Sequence, residues 1–310
     1  DNLPKAHRGV DPMIKPSKLN SGDAVGVVSP AGPVNRSELE ADVHFLETKG
    51  FTVHVAPHVY DRQDYLAGHD EDRLLDLEAM FRNAEIKAVF CSRGGYGSMR
   101  LLDRIDYGLI LKNPKIIVGY SDITALLSGI FKKTGLITFH GPLVRGLSSL
   151  PESTWQNLMR MISSPEPVSF APLAGHPLFG GKTTGLLMGG NLSLISMLVG
   201  TPFMPNLSGC ILFIEDRGEA LYRIDRMLTH LTLSKSLEGI RGVIAGHFSG
   251  CGDPAAIDDL IKERFQPMGI PVVGGFSLGH GPDNTTLPLG IPAELDTDQM
   301  KLTLLESSVV

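Results

Sequence analysis

From Ala24 to about Pro142, short apolar runs alternate with stretches whose apolar positions recur every three or four residues. Ala24-Val-Gly-Val-Val-Ser-Pro reads as a β-strand closed by turn residues. The stretch opening at Ser37-Glu-Leu-Glu sets Leu39, Val43, Phe45 and Leu46 on a helical repeat. Ser37 is its expected N-cap, Glu40 completes a capping box, and Gly50 stops it. Phe51-Thr-Val-His-Val-Ala is a second strand. Asp70 to Ala84 is a second helix with Leu74, Leu75, Leu77 and Met80 to one side, and Lys87-Ala-Val-Phe-Cys is a third strand. Lys115-Ile-Ile-Val-Gly-Tyr forms a fourth strand with a helix from Asp122 to Lys133 behind it, and Leu136-Ile-Thr-Phe-His a fifth. Such alternation predicts an α/β fold, a mostly parallel sheet with helices on both faces. Ligands in these sheets bind at the carboxyl ends of the strands, so the polar residues just after each strand carry the functional question.

The pattern changes after about Gly146. Residues 147–182 are rich in Ser, Pro and Gly around one helix near Trp155 to Ile162, and read as a linker. A second unit begins near Thr183, with strands at Cys210 to Ile214, Gly242 to His247 and Pro271 to Gly275. Its helices lie near Leu192 to Val199, Tyr222 to Leu231 and Ala255 to Phe265. Pro292 to Glu306 reads as a β-hairpin turning at Asp296-Thr-Asp-Gln. The expected organisation is therefore an extension (1–12) ahead of Met13, an N-terminal α/β domain (13–146), the linker (147–182), and a smaller C-terminal α/β domain with a β-rich end (183–310).

A length of 310 residues leaves room for both domains. The net charge of −6, with no basic patch interleaved with aromatics, argues against nucleic acid as a partner. Three cysteines, Cys91, Cys210 and Cys251, give neither a disulfide framework nor a CxxC metal pair, and fit a reducing, cytoplasmic setting. No apolar run reaches the roughly 18–20 residues of a membrane span. Residues 1–10 are polar and of mixed charge, without the pattern of a signal peptide.

Four segments can carry chemistry. In Gly119-Tyr-Ser-Asp-Ile-Thr a strand runs straight into Ser121 and a helix follows, a turn that exposes a serine hydroxyl. The N–H of Asp122 and the helix N-terminus would then favour an oxyanion. A serine that only N-caps the helix fits the segment equally well. Ser92-Arg-Gly-Gly-Tyr-Gly follows the third strand. Its glycines suit a phosphate, a second oxyanion donor or merely a tight turn, though the P-loop Lys-Ser/Thr is missing. Glu215 and Asp216 end an apolar strand, where a carboxylate can orient a histidine, bind a metal or pair with an arginine. His280 lies between glycines on a loop, with His140 and His247, also at strand ends, as rivals.

These segments, with Val27-Val-Ser-Pro-Ala-Gly, Gly189-Gly-Asn-Leu, Gly200-Thr-Pro, Tyr222-Arg-Ile-Asp-Arg-Met-Leu and Thr286-Leu-Pro-Leu-Gly, make the chain from Met13 onward resemble the LD-carboxypeptidase family of serine peptidases. The resemblance implies Ser121 as nucleophile, Glu215 as triad carboxylate and His280 as general base. It implies an oxyanion hole from the backbone N–H groups of Gly95 and Asp122, with the site between two domains. It also implies no metal and no cofactor, a homodimer, and removal of terminal D-Ala from cytoplasmic murein tetrapeptide, L-Ala-γ-D-Glu-(diaminopimelate or lysine)-D-Ala. Arg93 is a candidate for the substrate carboxylate. Relatives that cleave peptidyl-nucleotides such as microcin C7 share the triad and are expected to stack the nucleobase on an aromatic residue. The only tryptophan here is Trp155. The same residues also admit a phosphate- or sugar-binding protein without turnover, and a metallohydrolase using His247, Cys251 and His280.

Overall fold

The computed structural model describes residues 13–171 and 174–310; the expected extension, residues 1–12, lies outside the described residues. The first unit is built on five parallel strands: β1 (Ala24–Val28), β2 (Thr52–Val55), β3 (Ile86–Cys91), β4 (Ile116–Gly119) and β5 (Thr138–His140). The helices are α1 (Arg36–Thr48), α2 (Asp70–Arg82), α3 (Tyr107–Lys112) and α4 (Ile123–Thr134). The inner strands are apolar at nearly every position because both sheet faces are covered: β4 is buried throughout and β3 at all but Lys87.

α1 starts one residue before Ser37, and the capping box does not form. Asn35 holds the N-cap position in an extended conformation (φ −80°, ψ 136°), but its side chain turns to Glu38 and makes no cap bond. Glu40 meets Arg36 at 3.3 Å, one helical turn back.

The stretch read as a linker is itself structured. Its helix α5 (Glu152–Ser163) packs Trp155 edge-on against Phe45 of α1, ring centroids 5.3 Å apart. It then supplies β6 (Ser169–Phe170) and β7 (His176–Phe179), which lie at opposite edges of the second sheet. That sheet continues with β8 (Lys182–Asn191), α6 (Leu192–Leu198), β9 (Cys210–Arg217), α7 (Leu221–Leu233), β10 (Gly242–Ser249), α8 (Pro254–Phe265) and β11 (Val272–Gly274). After β12 (Leu287–Leu289) the expected hairpin follows as β13 (Pro292–Asp296) and β14 (Lys301–Leu304). The order is β6-β14-β13-β8-β9-β10-β11-β7, parallel through β8 to β11 and antiparallel outside them.

β12 does not join this sheet. It crosses back and pairs antiparallel with β5, giving the first sheet the order β12-β5-β4-β3-β1-β2. The C-terminus returns as well: Lys18 donates to the Val310 carbonyl (2.8 Å) and Val310 to that of Pro16 (3.0 Å). Among the described residues no helix is long and apolar enough to cross a membrane.

Candidate active site

Buried β4 runs into Tyr120 and Ser121, and α4 begins two residues later. Ser121 takes a left-handed backbone conformation, φ 64°, sparsely populated for a residue with a Cβ. This lifts its hydroxyl off the sheet. The Arg93-Gly-Gly loop lies directly on it: a Cβ added at Gly94 would stand 2.8 Å from Ser121 Cβ. Asp122 ties that loop to the start of α4. Its carboxylate accepts the Ser98 N–H (2.8 Å) and its carbonyl the Ser98 hydroxyl (2.6 Å). Burial raises the Asp122 carboxyl, opposed by the Ser98 bonds.

Ser121 Oγ lies 3.2 Å from His280 Nε2, and His280 Nδ1 lies 2.6 Å from Glu215 Oε2. The backbone N–H of His280 donates to the same Glu215 oxygen at 3.2 Å. Glu215, at the end of β9, is fully buried. The next residue projects to the other face. Asp216 accepts the Ser193 N–H (2.9 Å) and hydroxyl (2.8 Å), and its own neighbour's N–H from Arg217 (2.8 Å). Burial raises its carboxyl, and the Ser193 hydroxyl is foremost in opposing this. Of the two adjacent carboxylates, only Glu215 reaches a histidine.

Asn191, at the junction of β8 and α6, joins the two halves. Its Nδ2 donates to Glu215 Oε1 (3.2 Å) and Asp216 Oδ1 (3.0 Å). Its Oδ1 accepts from Leu194 as the N-cap of α6 (3.2 Å), and its backbone N–H donates to the Thr124 hydroxyl on α4 (3.0 Å). The helix behind Ser121 is thus one residue away from the carboxylate behind His280. Asn at a strand-to-helix junction is an N-cap signal, but its link to Glu215 depends on a tertiary contact no local pattern encodes. Arg73 was equally unmarked. Buried in α2, it bonds the Pro30 and Gly97 carbonyls and Asp70, clamping two loops that frame the serine.

The rival histidines lie beside the site but outside its line of hydrogen bonds. His140 is completely buried, neither ring nitrogen has a partner, and burial pulls its pKa down to about 4. It stands edge-on to Tyr120 (5.9 Å), which in turn stands edge-on to His280 (4.8 Å). His247 Nε2 lies 3.2 Å from Asp283 Oδ1. The Cys251 thiol is raised by burial, and its Sγ lies 3.7 Å from the Ser249 carbonyl. His247, Cys251 and His280 do not gather as ligands. Among the described residues only His58, Asp61 and Asp72 bring ligand atoms within 4.8 Å of one another, and His58 Nδ1 is engaged by Asp76 at 2.8 Å. Gly95 follows Gly94 in the loop over Ser121, at φ 106°. Arg93 is turned to the Pro33 carbonyl, and its pKa is lowered by burial and by Arg145 and Arg62 nearby.

Chemically, a serine, a histidine and a buried carboxylate in one chain of hydrogen bonds let a proton pass between serine and histidine while the carboxylate orients the imidazole and balances its charge. The N-terminal end of a helix lies beside the hydroxyl, where negative charge is favoured.

The LD-carboxypeptidase N-terminal domain family matches residues 25–141, and the LD-carboxypeptidase C-terminal domain family residues 184–295. A probable murein peptide carboxypeptidase of Bacillus subtilis is 38% identical, the match covering 95% of both chains. The muramoyltetrapeptide carboxypeptidase of Oxalobacter formigenes superposes with a TM-score of 0.82 at 31% identity, covering 91% of this chain and 97% of that one. The microcin C7 self-immunity protein in complex with aspartyl sulfamoyl adenosine superposes with a TM-score of 0.88 at 27% identity, covering 96% and 100%.

Proposed function

The chain belongs to the LD-carboxypeptidase family of serine-type hydrolases, and on that premise we propose that it removes the terminal D-Ala of cytoplasmic murein tetrapeptide in peptidoglycan recycling. The observation that carries the reading is the unbroken line Ser121 Oγ, His280 Nε2, His280 Nδ1, Glu215 Oε2.

The proton count follows from this line. His280 Nε2 takes the Ser121 proton as Oγ attacks the carbonyl carbon joining diaminopimelate or lysine to D-Ala. The tetrahedral oxyanion is met by the backbone N–H groups of Asp122 and Gly95. Imidazolium His280 returns the proton to the leaving amine, and D-Ala departs. Water, deprotonated by His280, then cleaves the ester and restores the hydroxyl. Glu215 holds the Nδ1–H tautomer and balances the imidazolium charge.

Murein rather than peptidyl-nucleotide is favoured by Trp155. It is buried against Phe45 and Phe51, so no tryptophan face is offered to a base.

The test is mass spectrometry of L-Ala-γ-D-Glu-meso-diaminopimelate-D-Ala incubated with wild type and with Ser121→Ala, chelator present. D-Ala released by the wild type alone is expected. Equal release by both would remove Ser121 from the mechanism. No release by either, with cleavage of aspartyl sulfamoyl adenosine, would move the protein to the peptidyl-nucleotide branch.

A further inference from the structure

Two large aromatic rings near the serine are neither buried nor used by the relay. Tyr65 is 61% exposed and Tyr96 47%, with ring centroids 5.6 Å apart and planes inclined at 60°. Tyr96 follows Gly94-Gly95, and Gly94 rests on Ser121. Two residues of chain span at most about 7 Å, so Tyr96 stands at the mouth of the site. Its loop is anchored directly behind it: Arg73 holds the Gly97 carbonyl (3.1 Å) and Asp122 the Ser98 N–H (2.8 Å). Tyr65 is fixed as well, on a turn closed by reciprocal Gln63–Leu66 backbone bonds of 2.9 Å and tied to the Ala31 carbonyl through Ala67. Rings held this way lose little freedom when they bind.

Resting on the murein reading above, we propose that Tyr65 and Tyr96 form a saccharide-stacking subsite for the sugar of a glycan-linked tetrapeptide. The peptide itself carries no ring and no broad apolar face for two aromatics to cover. A pyranose has both an apolar C–H face for the rings and a polar edge for the tyrosine hydroxyls. The Arg100 guanidinium, close enough for both tyrosines to act on its charge and held by Asp70 at 2.9 Å, gives that edge a further donor. The spacing agrees. Three residues separate the scissile carbonyl from the sugar, about 10 Å of extended chain, within reach of a ring whose Cα lies no more than about 7 Å from Gly94.

The experiment compares N-acetylmuramyl-tetrapeptide with free tetrapeptide by calorimetry on the Ser121→Ala protein, with and without Tyr65→Ala and Tyr96→Ala, each variant checked for an unchanged melting curve. The glycan-linked ligand is expected to bind about tenfold more tightly, and the double tyrosine variant to bring that ratio close to one. In the enzyme with Ser121 intact, the same ratio should appear in kcat/KM. Two measurable ligands with a ratio that the tyrosines do not change would overturn the subsite alone. Binding of neither ligand would overturn the murein reading and the subsite with it. Tighter binding of aspartyl sulfamoyl adenosine through the same tyrosines would reassign the rings to a nucleobase. Concentration-dependent self-association abolished by the tyrosine variants, with no sugar preference, would reassign them to a second copy of this chain.

Discussion

At the residue scale the site is a set of side chains made to do what their intrinsic preferences resist. Ser121 holds φ 64°, a conformation glycine adopts freely. Ser121→Gly should therefore abolish turnover yet be more stable than Ser121→Ala by about 1 kcal/mol, read from chemical denaturation of the two variants. A stability order with alanine above glycine would show that the turn carries no strain. Glu215 and Asp216 divide their work by strand alternation. Glu215→Gln should lower kcat by roughly 10³–10⁴, as loss of a tautomer-fixing carboxylate does. Asp216→Asn disturbs the Ser193 bonds and should act mainly on melting temperature; the reverse pattern would exchange their roles. His140 carries a pH prediction. Its folded pKa is about 4 against an ordinary 6.5, so between these values the unfolded chain binds more protons, and stability falls as pH falls through that window. The loss should reach about 3 kcal/mol by pH 4 and be absent in His140→Phe, provided that variant melts cooperatively. Ser121 and Glu215 were legible in the sequence because each lies towards the carboxyl end of an apolar strand, and His280 because it stands between glycines on a loop. Asn191 and Arg73 were not, because what they do is set by partners 24 to 67 positions away.

At the element scale, what was legible is what carries its own period. The hairpin of β13 and β14 and the strand–helix alternation up to α4, apart from the six-residue α3, are written in local apolar spacing. β6, β7 and β12 span two, four and three residues, too short to show a period, and exist because a neighbouring strand edge accepts them. β8 was missed for another reason: its first half is exposed or half-buried, and its last residues include Gly189 and Gly190. The loop ahead of His280 offers an element-scale test. Gly279 has φ +88°, and a Cβ there would overlap the Glu215 carboxylate; Gly146 has the same φ +88° with open space around it. Both alanine variants bear similar backbone strain, about 1 kcal/mol. Only Gly279→Ala should cost activity, by at least about a hundredfold in kcat for a displaced relay. Equal activity in the two would mean that the loop does not position His280.

At the scale of the whole molecule, the two units are not separable beads on a string. Ser121 stands just beyond β4 of one sheet, Glu215 on β9 of the other and His280 on the loop after β11, and α4 and Asn191 join them. β12 makes the join topological, since a segment between Gly279-His280 and the final hairpin serves as the edge strand of the sheet that presents Ser121. A fragment of residues 13–146 lacks both this strand and α5 with Trp155. It should show no cooperative thermal transition by circular dichroism, whereas chain 13–310 should melt in one. Two independent transitions in the longer chain would argue against the coupling. The same strand crossing governs how the protein is born. A ribosome releases Ser121 early, but the sheet beneath it stays open at β5 until Leu289 has emerged, and His280 emerges only just before. The nascent peptidase is therefore inert while Ser121 alone has left the ribosome, and its hydrolytic power switches on only after His280 and Leu289 have emerged as well.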